Sequence, residues 1–330
     1  MSYLQLFILL SPDTYIYIGW GALALLSLIV GLVCWRTHRR WLRWTLIIPL
    51  LLCWHVFLWG TYVGFRKVEV VHFDYASRDL PEAFDGYRIV QFSDTHVGTY
   101  TGNRRCILQA VVDSINAQQP DLVVFTGDMQ NKEASEIIAC QDILKEIKAH
   151  DGVISVLGNH DYPIYIDTTA IDEYERYLCL GRTVEAQRDM GWTVLMNGHV
   201  NIVRDSAHIV IAGMENDGEG DRSPQKGDIN KTLRGVSRDE FVVMLEHDPY
   251  SWRNRILPHS HAQLTLSGHT HAGQISLLGL SPAVFKFKEY DGLYKEGNRA
   301  LYVSKGVGGV VPIRFGATGE IVVVTLKRER

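Results

Sequence analysis

Cysteine is sparse in this 330-residue chain: Cys34, Cys53, Cys106, Cys140 and Cys179 lie far apart and form no C-x-x-C pair. An odd number so spaced signals neither a disulfide framework nor a thiolate metal knuckle, and free thiols are expected. Charge of one sign is lacking too, since 33 Lys and Arg against 37 Asp and Glu give a formal net charge of −4. Without a basic field to gather a polyanionic duplex, no nucleic-acid partner is expected. No G-x-S-x-G string is present, so a serine nucleophile elbow is not signalled. There is no internal repeat and no low-complexity tract, and the opening MSYLQLFILLSPD has none of the Lys or Arg that starts a cleaved secretory signal.

Long apolar runs are present, and they are confined to the start. Every residue from Tyr15 to Cys34 is uncharged, and YIYIGWGALALLSLIVGLVC has the ~20-residue length of a bilayer-crossing helix. A second run, WTLIIPLLLCWHVFLWGTYVGF, extends from Trp44 to Phe65. Spans at about 15–35 and 44–65 are expected, with residues 1–66 forming a membrane anchor and 67–330 a second domain. Arg36, Arg39, Arg40 and Arg43 crowd the connection while the N-terminal tail carries no positive charge. The positive-inside rule puts such a connection in the cytoplasm and the large domain outside it, although Arg66, Lys67 and Arg78 weaken the asymmetry. His55, within the second run, is expected at a helix–helix contact.

Beyond Lys67 the periodicity changes. VEVVHF, YRIVQFS, DLVVFTGD and GVISVLGNHD read as strands, while CILQAVVDSINAQ and SEIIACQDILKEIKAH read as helices. Such alternation with short loops predicts parallel pairing in an α/β architecture. HVNIVRD, AHIVIAGM, EFVVMLEHD, AQLTLSGHTH, ALYVSKG and EIVVVTLKR then predict a second sheet packed on the first. DYPIYIDTTAIDEYERYL is expected as a core-packed helix, with a lid over a ligand as the alternative; Asn216–Asn230 reads as an exposed loop.

Apolar strands here end repeatedly in Asp, Asn and His. VQFSDTH supplies Asp94 and His96, VVFTGD supplies Asp128, SVLGNHD supplies Asn159, His160 and Asp161, VVMLEHD supplies His247, and LTLSGHTH supplies His269 and His271. The carboxyl ends of strands in an open α/β sheet form the crevice where ligands bind, so these clusters are expected to converge. Imidazole, carboxylate and amide donors without thiolate suit borderline-to-hard divalent ions such as Mn, Fe, Zn or Co.

Asp94-Thr95-His96, Gly127-Asp128, Gly158-Asn159-His160-Asp161, His247 and Gly268-His269-Thr270-His271, in this order, resemble the signature of the calcineurin-like metallophosphoesterases. The chain is most similar to their membrane-anchored bacterial branch, over residues 67–330. The resemblance implies a four-layer α/β/β/α sandwich following two transmembrane helices, and hydrolysis of phosphate mono- or diesters by two divalent ions with a bridging hydroxide as nucleophile. It further implies that Asp94, His96 and His271 hold one metal, that Asn159, His247 and His269 hold the other, and that Asp128 bridges them. His160 would be the catalytic residue beside the phosphate, and Asp161 would orient its own loop. Asn131 departs from the pattern, because the second Asp of G-D-x-x-D is the partner of the GNHD histidine in relatives; Glu246 replaces a frequent Gly. A membrane-proximal, lipid-linked phosphate ester at the bacterial inner membrane is the expected substrate. The alternatives are pyrophosphate cleavage in a nucleotide-diphospho-sugar lipid and a non-catalytic scaffold.

Overall fold

The computed structural model describes residues 10–166, 172–220 and 223–329. Two long helices come first, α1 (Pro12–Arg36) and α2 (Arg40–Tyr62). Both are long and apolar enough to cross a membrane, and they bury little of themselves: Leu25, Leu28, Leu32, Leu51 and Leu52 are exposed. Ser11 caps α1, its hydroxyl accepting from the Thr14 amide, and Pro12 follows where a missing N–H costs nothing. The pair is held side by side by Trp20, which packs edge-on against Trp54 and Phe57, and by a Trp54 Nε1 bond to Ser27 Oγ at 3.0 Å. His55 is not at that contact. Its ring lies beside Trp59 and, 6.1 Å away, edge-on to Phe315.

Twelve strands follow in the described residues: β1 (Val68–Ser77), β2 (Arg88–Phe92), β3 (Leu122–Thr126), β4 (Val153–Val156), β5 (Thr193–Val194), β6 (Gly198–Arg204), β7 (Ala207–Gly213), β8 (Val242–Leu245), β9 (Leu264–Ser267), β10 (Gly292–Glu296), β11 (Arg299–Val303) and β12 (Gly319–Arg328). They form two six-stranded sheets, ordered β1-β12-β2-β3-β4-β5 and β10-β11-β9-β8-β7-β6. The inner strands β2, β3 and β4 pair in parallel, as do β7, β8, β9 and β11. Being buried on both faces, they read as continuous Val, Ile and Leu runs. β12 runs antiparallel to β2 yet parallel to β1.

Alternate residues of each strand belong to different cores, which is why the sandwich has four layers. Ile89, Val124 and Val156 point between the sheets, where they meet Ile211, Val243 and Leu266 of the second sheet. Their neighbours Val90, Phe92, Val123 and Phe125 face outward onto α3 (Arg105–Ala117), whose Leu108, Val111 and Ile115 cover them. Val242, Met244 and Val303 of the other sheet pack outward against Trp252 and Ile256. All five cysteines are free.

Further expectations need correction. EIVVVTLKR is not part of the second sheet: β12 lies in the first, where its two partners are β1 and β2. The stretch from Ser135 to His150 is not one helix but two short ones, Ala134–Ile138 and Gln141–Leu144, broken where Cys140 takes a non-helical φ of −121°. Arg105 stabilises the break, donating to the freed Ala139 carbonyl at 2.5 Å and pairing with Asp142 at 2.6 Å. The helix after GNHD, α4 (Glu173–Arg188), buries Thr183 and Val184 but exposes Tyr174 and Tyr177, so its first turns are not core; residues 167–171 of that lid-or-helix stretch lie outside the described residues. The segment from Asn216 is not simply exposed, for Asn216 and Asp217 are buried, and the Asp217 amide donates to Glu246.

Candidate metal centre

Each polar cluster sits on the loop just past a strand's carboxyl end: Asp94 and His96 after β2, Asp128 after β3, Asn159 and His160 after β4, His247 after β8, His269 and His271 after β9. Because both sheets point those ends the same way, the loops meet. Asp94, His96 and His271 form one group, and Asp128, His247 and His269 another, with donor atoms in each within 4.8 Å of one another. Asn159 Oδ1 lies 3.2 Å from His247 Nε2 and 2.9 Å from His269 Nδ1, which adds it to the second group.

Asp128 stands between the groups. Its Oδ2 is 3.6 Å from His96 Nε2 and 3.3 Å from His247 Nε2, while its Oδ1 accepts the His160 amide at 2.7 Å. Burial alone would raise the Asp128 pKa; the imidazoles of His247 and His160 outweigh it and hold the carboxyl well below the usual carboxylate range. His247 is the counterpart: burial opposes its charge, but Asp128 keeps its pKa well above the ordinary imidazole range. Burial pushes Asp94 up to about 6, and burial with the neighbouring His160 pushes His96 down to about 3.

The residues fit divalent cations. His96 is wholly buried and neither ring nitrogen has a hydrogen-bond partner, a condition that costs about 1–3 kcal/mol per group unless something coordinates it. Ring orientation is also prepared. His247 Nδ1 donates to the Thr126 carbonyl at 2.7 Å, so the nitrogen whose proton a cation would displace is Nε2. Asp248 Oδ2 faces His269 Nε2 at 3.5 Å, leaving Nδ1 free toward Asn159.

The backbone is strained to achieve this. Asp94 (φ 53°), His96 (47°), Asp128 (59°), His269 (74°) and His271 (51°) are all left-handed, a conformation costing on the order of 1–3 kcal/mol per residue without glycine. Glycines precede two of these residues, Gly127 before Asp128 and Gly268 before His269, and Gly158 opens the GNHD turn. At Gly158 a Cβ would come within 2.3 Å of Asp128 Oδ1, and at Gly268 within 2.3 Å of Asp94 Oδ2. Side chains there would displace the carboxylates.

Residues 87–273 match the family described as calcineurin-like phosphoesterase. The chain belongs to that family. It is a phosphoester hydrolase, similar over 277 residues, at 33% identity, to the uncharacterized metallophosphoesterase YkuE of Bacillus subtilis, covering 82% of this chain and 89% of that one. A transmembrane protein with metallophosphoesterase domain from Danio rerio is 28% identical over 82% of this chain, which spans 60% of that protein's length. Among solved structures, the phosphopantetheinyl hydrolase PptH of Mycobacterium tuberculosis covers 66% of the chain at 11% identity with a TM-score of 0.39. A dimetal phosphatase from Danio rerio covers 68% at 10% identity with a TM-score of 0.37.

Around the two groups, the phosphoesterase places its remaining signature residues. The Asp161 carboxylate accepts from the amides of Gly158 (2.9 Å), Asp128 (2.8 Å), Met129 (2.9 Å) and Gln130 (3.3 Å), so it ties the GNHD loop to the GDMQN loop. His160 packs edge-on to His96 with ring centroids 4.8 Å apart. Its Nδ1 faces not the Asn131 side chain but the Asn131 carbonyl, at 2.8 Å. Val307 and Gly308 donate to the carbonyls of Ser93 and Asp94, so the late glycine run 306–309 braces the Asp94 loop.

Sequence reasoning missed three residues of this phosphoesterase. Arg314, fully buried, donates to the carbonyls of Lys305, Gly308 and Ala317 and lies 3.3 Å from His271 Nδ1. Burial, then His96 and Arg314, hold His271 well below the ordinary imidazole range, in the neutral form that ligates cations. The Tyr165 ring stacks on His160 at 3.9 Å, and its hydroxyl accepts from Asn159 Nδ2 at 2.6 Å. Asp248 is the third. Arg314 lies in PIRFG and Asp248 in HDP, and nothing in a string says which imidazole a side chain reaches.

Proposed function

We propose that the chain is a membrane-anchored phosphoesterase whose residues 67–330 carry a dinuclear centre on the anchor formed by residues 1–66. Asp94, His96 and His271 would hold one divalent ion, Asn159, His247 and His269 the other, and Asp128 would bridge them. The observation that carries this reading is Asp128 Oδ2, which lies within 3.6 Å of an imidazole nitrogen from each group. When bound, such a cation pair supplies Lewis-acid charge to a phosphoryl group and makes water a nucleophile near neutral pH.

The chain's own residues do the rest. His160, held at Nδ1 by the Asn131 carbonyl, keeps Nε2 to exchange a proton with a leaving oxygen, a role typically contributing ~10²–10⁴-fold. Asp161 keeps the loops carrying Asn159 and Asp128 in register. Asp248 and the Thr126 carbonyl orient His269 and His247.

Asp13 at the start of α1 pairs with Arg104 at 2.8 Å, so that end of the helix and the domain lie on one side of the anchor and the arginine-rich connection on the other. With that connection cytoplasmic, the domain is extracytoplasmic, at the inner membrane of a bacterium. This favours an envelope phosphate ester over the cytoplasmic cleavage of a nucleotide-diphospho-sugar lipid. Full-length protein purified in detergent is expected to contain transition metal by elemental analysis and to hydrolyse p-nitrophenyl phosphate or bis-p-nitrophenyl phosphate. Absence of both metal and turnover after addition of Mn, Co or Zn would sink the enzymatic reading and leave a scaffold. Alkaline phosphatase fused to the C-terminus is expected to be active, and an inactive fusion reverses the orientation.

A further inference from the structure

The segment after His271 is anomalous for a water-exposed loop. Leu277 and Leu280 exchange both backbone hydrogen bonds at 2.9 and 3.0 Å, forming a tight hairpin with Leu278 and Gly279 at its tip, both at positive φ. Such turns ordinarily carry Asn-Gly or Asp-Gly, because those residues tolerate the left-handed region and welcome water. Here the tip is Leu278, 96% exposed, flanked by Leu277 at 64% and Leu280 at 74%, and followed by Phe285 at 93%. So large an apolar set on one loop marks an interaction surface.

Its position says what covers it. The Ser276 amide donates to the Phe315 carbonyl at 2.7 Å and the Phe315 amide to the Gln274 carbonyl at 2.9 Å, so the loop hangs from residues 311–316. That segment lies along α2. The Arg314 amide donates to the Gly60 carbonyl at 3.0 Å, and a Cβ at Gly60 or Gly64 would meet Ile313 or the Arg314 carbonyl. Phe315 reaches His55, seven residues and therefore about 10 Å back from the end of the helix at Tyr62. The hairpin thus starts level with the last two turns of an apolar helix, not above them.

On its other side the loop leads to the metal centre. Phe287 packs edge-on to His269 at 5.5 Å, and Lys286, Phe287 and Lys288 line, with Tyr250 and His269, a cleft of about 540 Å³. Glu219 and Asp248 line the same cleft and Arg253 is paired with Glu289, so Lys286 and Lys288 are the cations left to meet an anionic headgroup whose tails remain in the bilayer.

We propose that the loop 275–285 seats in the bilayer beside the second span, so that the cleft opens at the lipid headgroups and the centre takes a lipid-borne phosphate ester. The substrate class rests on the phosphoesterase reading above; the membrane seat does not.

The test uses full-length protein, one copy per nanodisc of phosphatidylcholine and phosphatidylglycerol, carrying Leu278→Cys or Phe285→Cys. Val203→Cys is the control, since Val203 is exposed and pairs with the start of β7, the sheet end remote from the centre. Labelling by a water-soluble maleimide is read peptide by peptide, and unfolding temperature and metal content check each variant. A thiol in hydrocarbon resists ionisation, so positions 278 and 285 are expected to label about tenfold or more slower than 203. Equal rates overturn the membrane seat, and protection that appears only in discs holding two copies assigns the loop to self-association and overturns it too.

In the same discs, phosphatidic acid is expected to compete with soluble p-nitrophenyl phosphate about tenfold better than glycerol 3-phosphate at equal bulk concentration, because the membrane concentrates it. Equal competition overturns the headgroup assignment and points to free phosphate esters. A protected loop on a protein without metal or turnover would overturn the phosphoesterase reading alone.

Discussion

The ring of His160 is held by the backbone carbonyl of Asn131, 2.8 Å from Nδ1, and not by the side chain at that position. The Asn131 side chain instead donates from Nδ2 to Thr99 Oγ1 at 3.1 Å. An acceptor in the main chain survives substitution. Asn131→Ala is therefore expected to leave kcat for an aryl phosphate within about threefold of wild type, at a cost of about 1 kcal/mol in stability. His160→Ala is expected to lower kcat by about 10²–10⁴-fold while metal content persists. Steady-state kinetics beside elemental analysis decide both, and an inactive Asn131→Ala protein would show that its side chain matters to the ring.

Asp128→Asn removes the negative charge facing both His96 and His247. Metal content is expected to fall at both positions together, with turnover reduced by about 10³-fold or more. Loss of one ion with the other retained would show that Asp128 serves a single position.

Asp248→Ala takes the carboxylate from behind His269 without touching the other group. The affinity for one of the two ions is expected to weaken by about 10–100-fold, as is usual when a ligand's orienting partner is lost. Titration of metal-stripped protein with Mn or Zn would read it as two separated binding steps where wild type gives closer ones. Unchanged titration curves would remove Asp248 from the site.

Asp161 accepts four backbone amides from two loops, and in the Ala variant those buried donors lose their partner. Destabilisation of about 3 kcal/mol or more is expected for Asp161→Ala, read as a lower thermal unfolding temperature in detergent, with Asp161→Asn milder because it still offers an acceptor. Equal unfolding temperatures for the two variants would mean the amides find water instead.

The strand-tip clusters were legible because each follows an apolar run long enough to be read as a buried strand, and a parallel sheet sends all such tips one way. Two strands escaped notice for local reasons. β5 has only two residues, and β10, the edge strand GLYKE, mixes charge with glycine and carries no continuous apolar signal. The break at Cys140 was hidden because Arg105, which stabilises it, comes from another helix. The string WHVFLWG points to a helix–helix role for His55 because it shows only its own helix, whereas its neighbour Phe315 lies 260 residues later. Tyr165, Asp248 and Arg314 act through space on imidazoles from other loops, and linear spacing holds no record of that.

The proposed ligand set draws Asp94, His96, Asp128 and Asn159 from loops of the first sheet and His247, His269 and His271 from loops of the second. Cations gripped by both would act as rivets at one rim of the sandwich. Scarcity of metal in the cell would then loosen the seam between the halves as well as silence the chemistry, making abundance of the folded protein a gauge of metal supply.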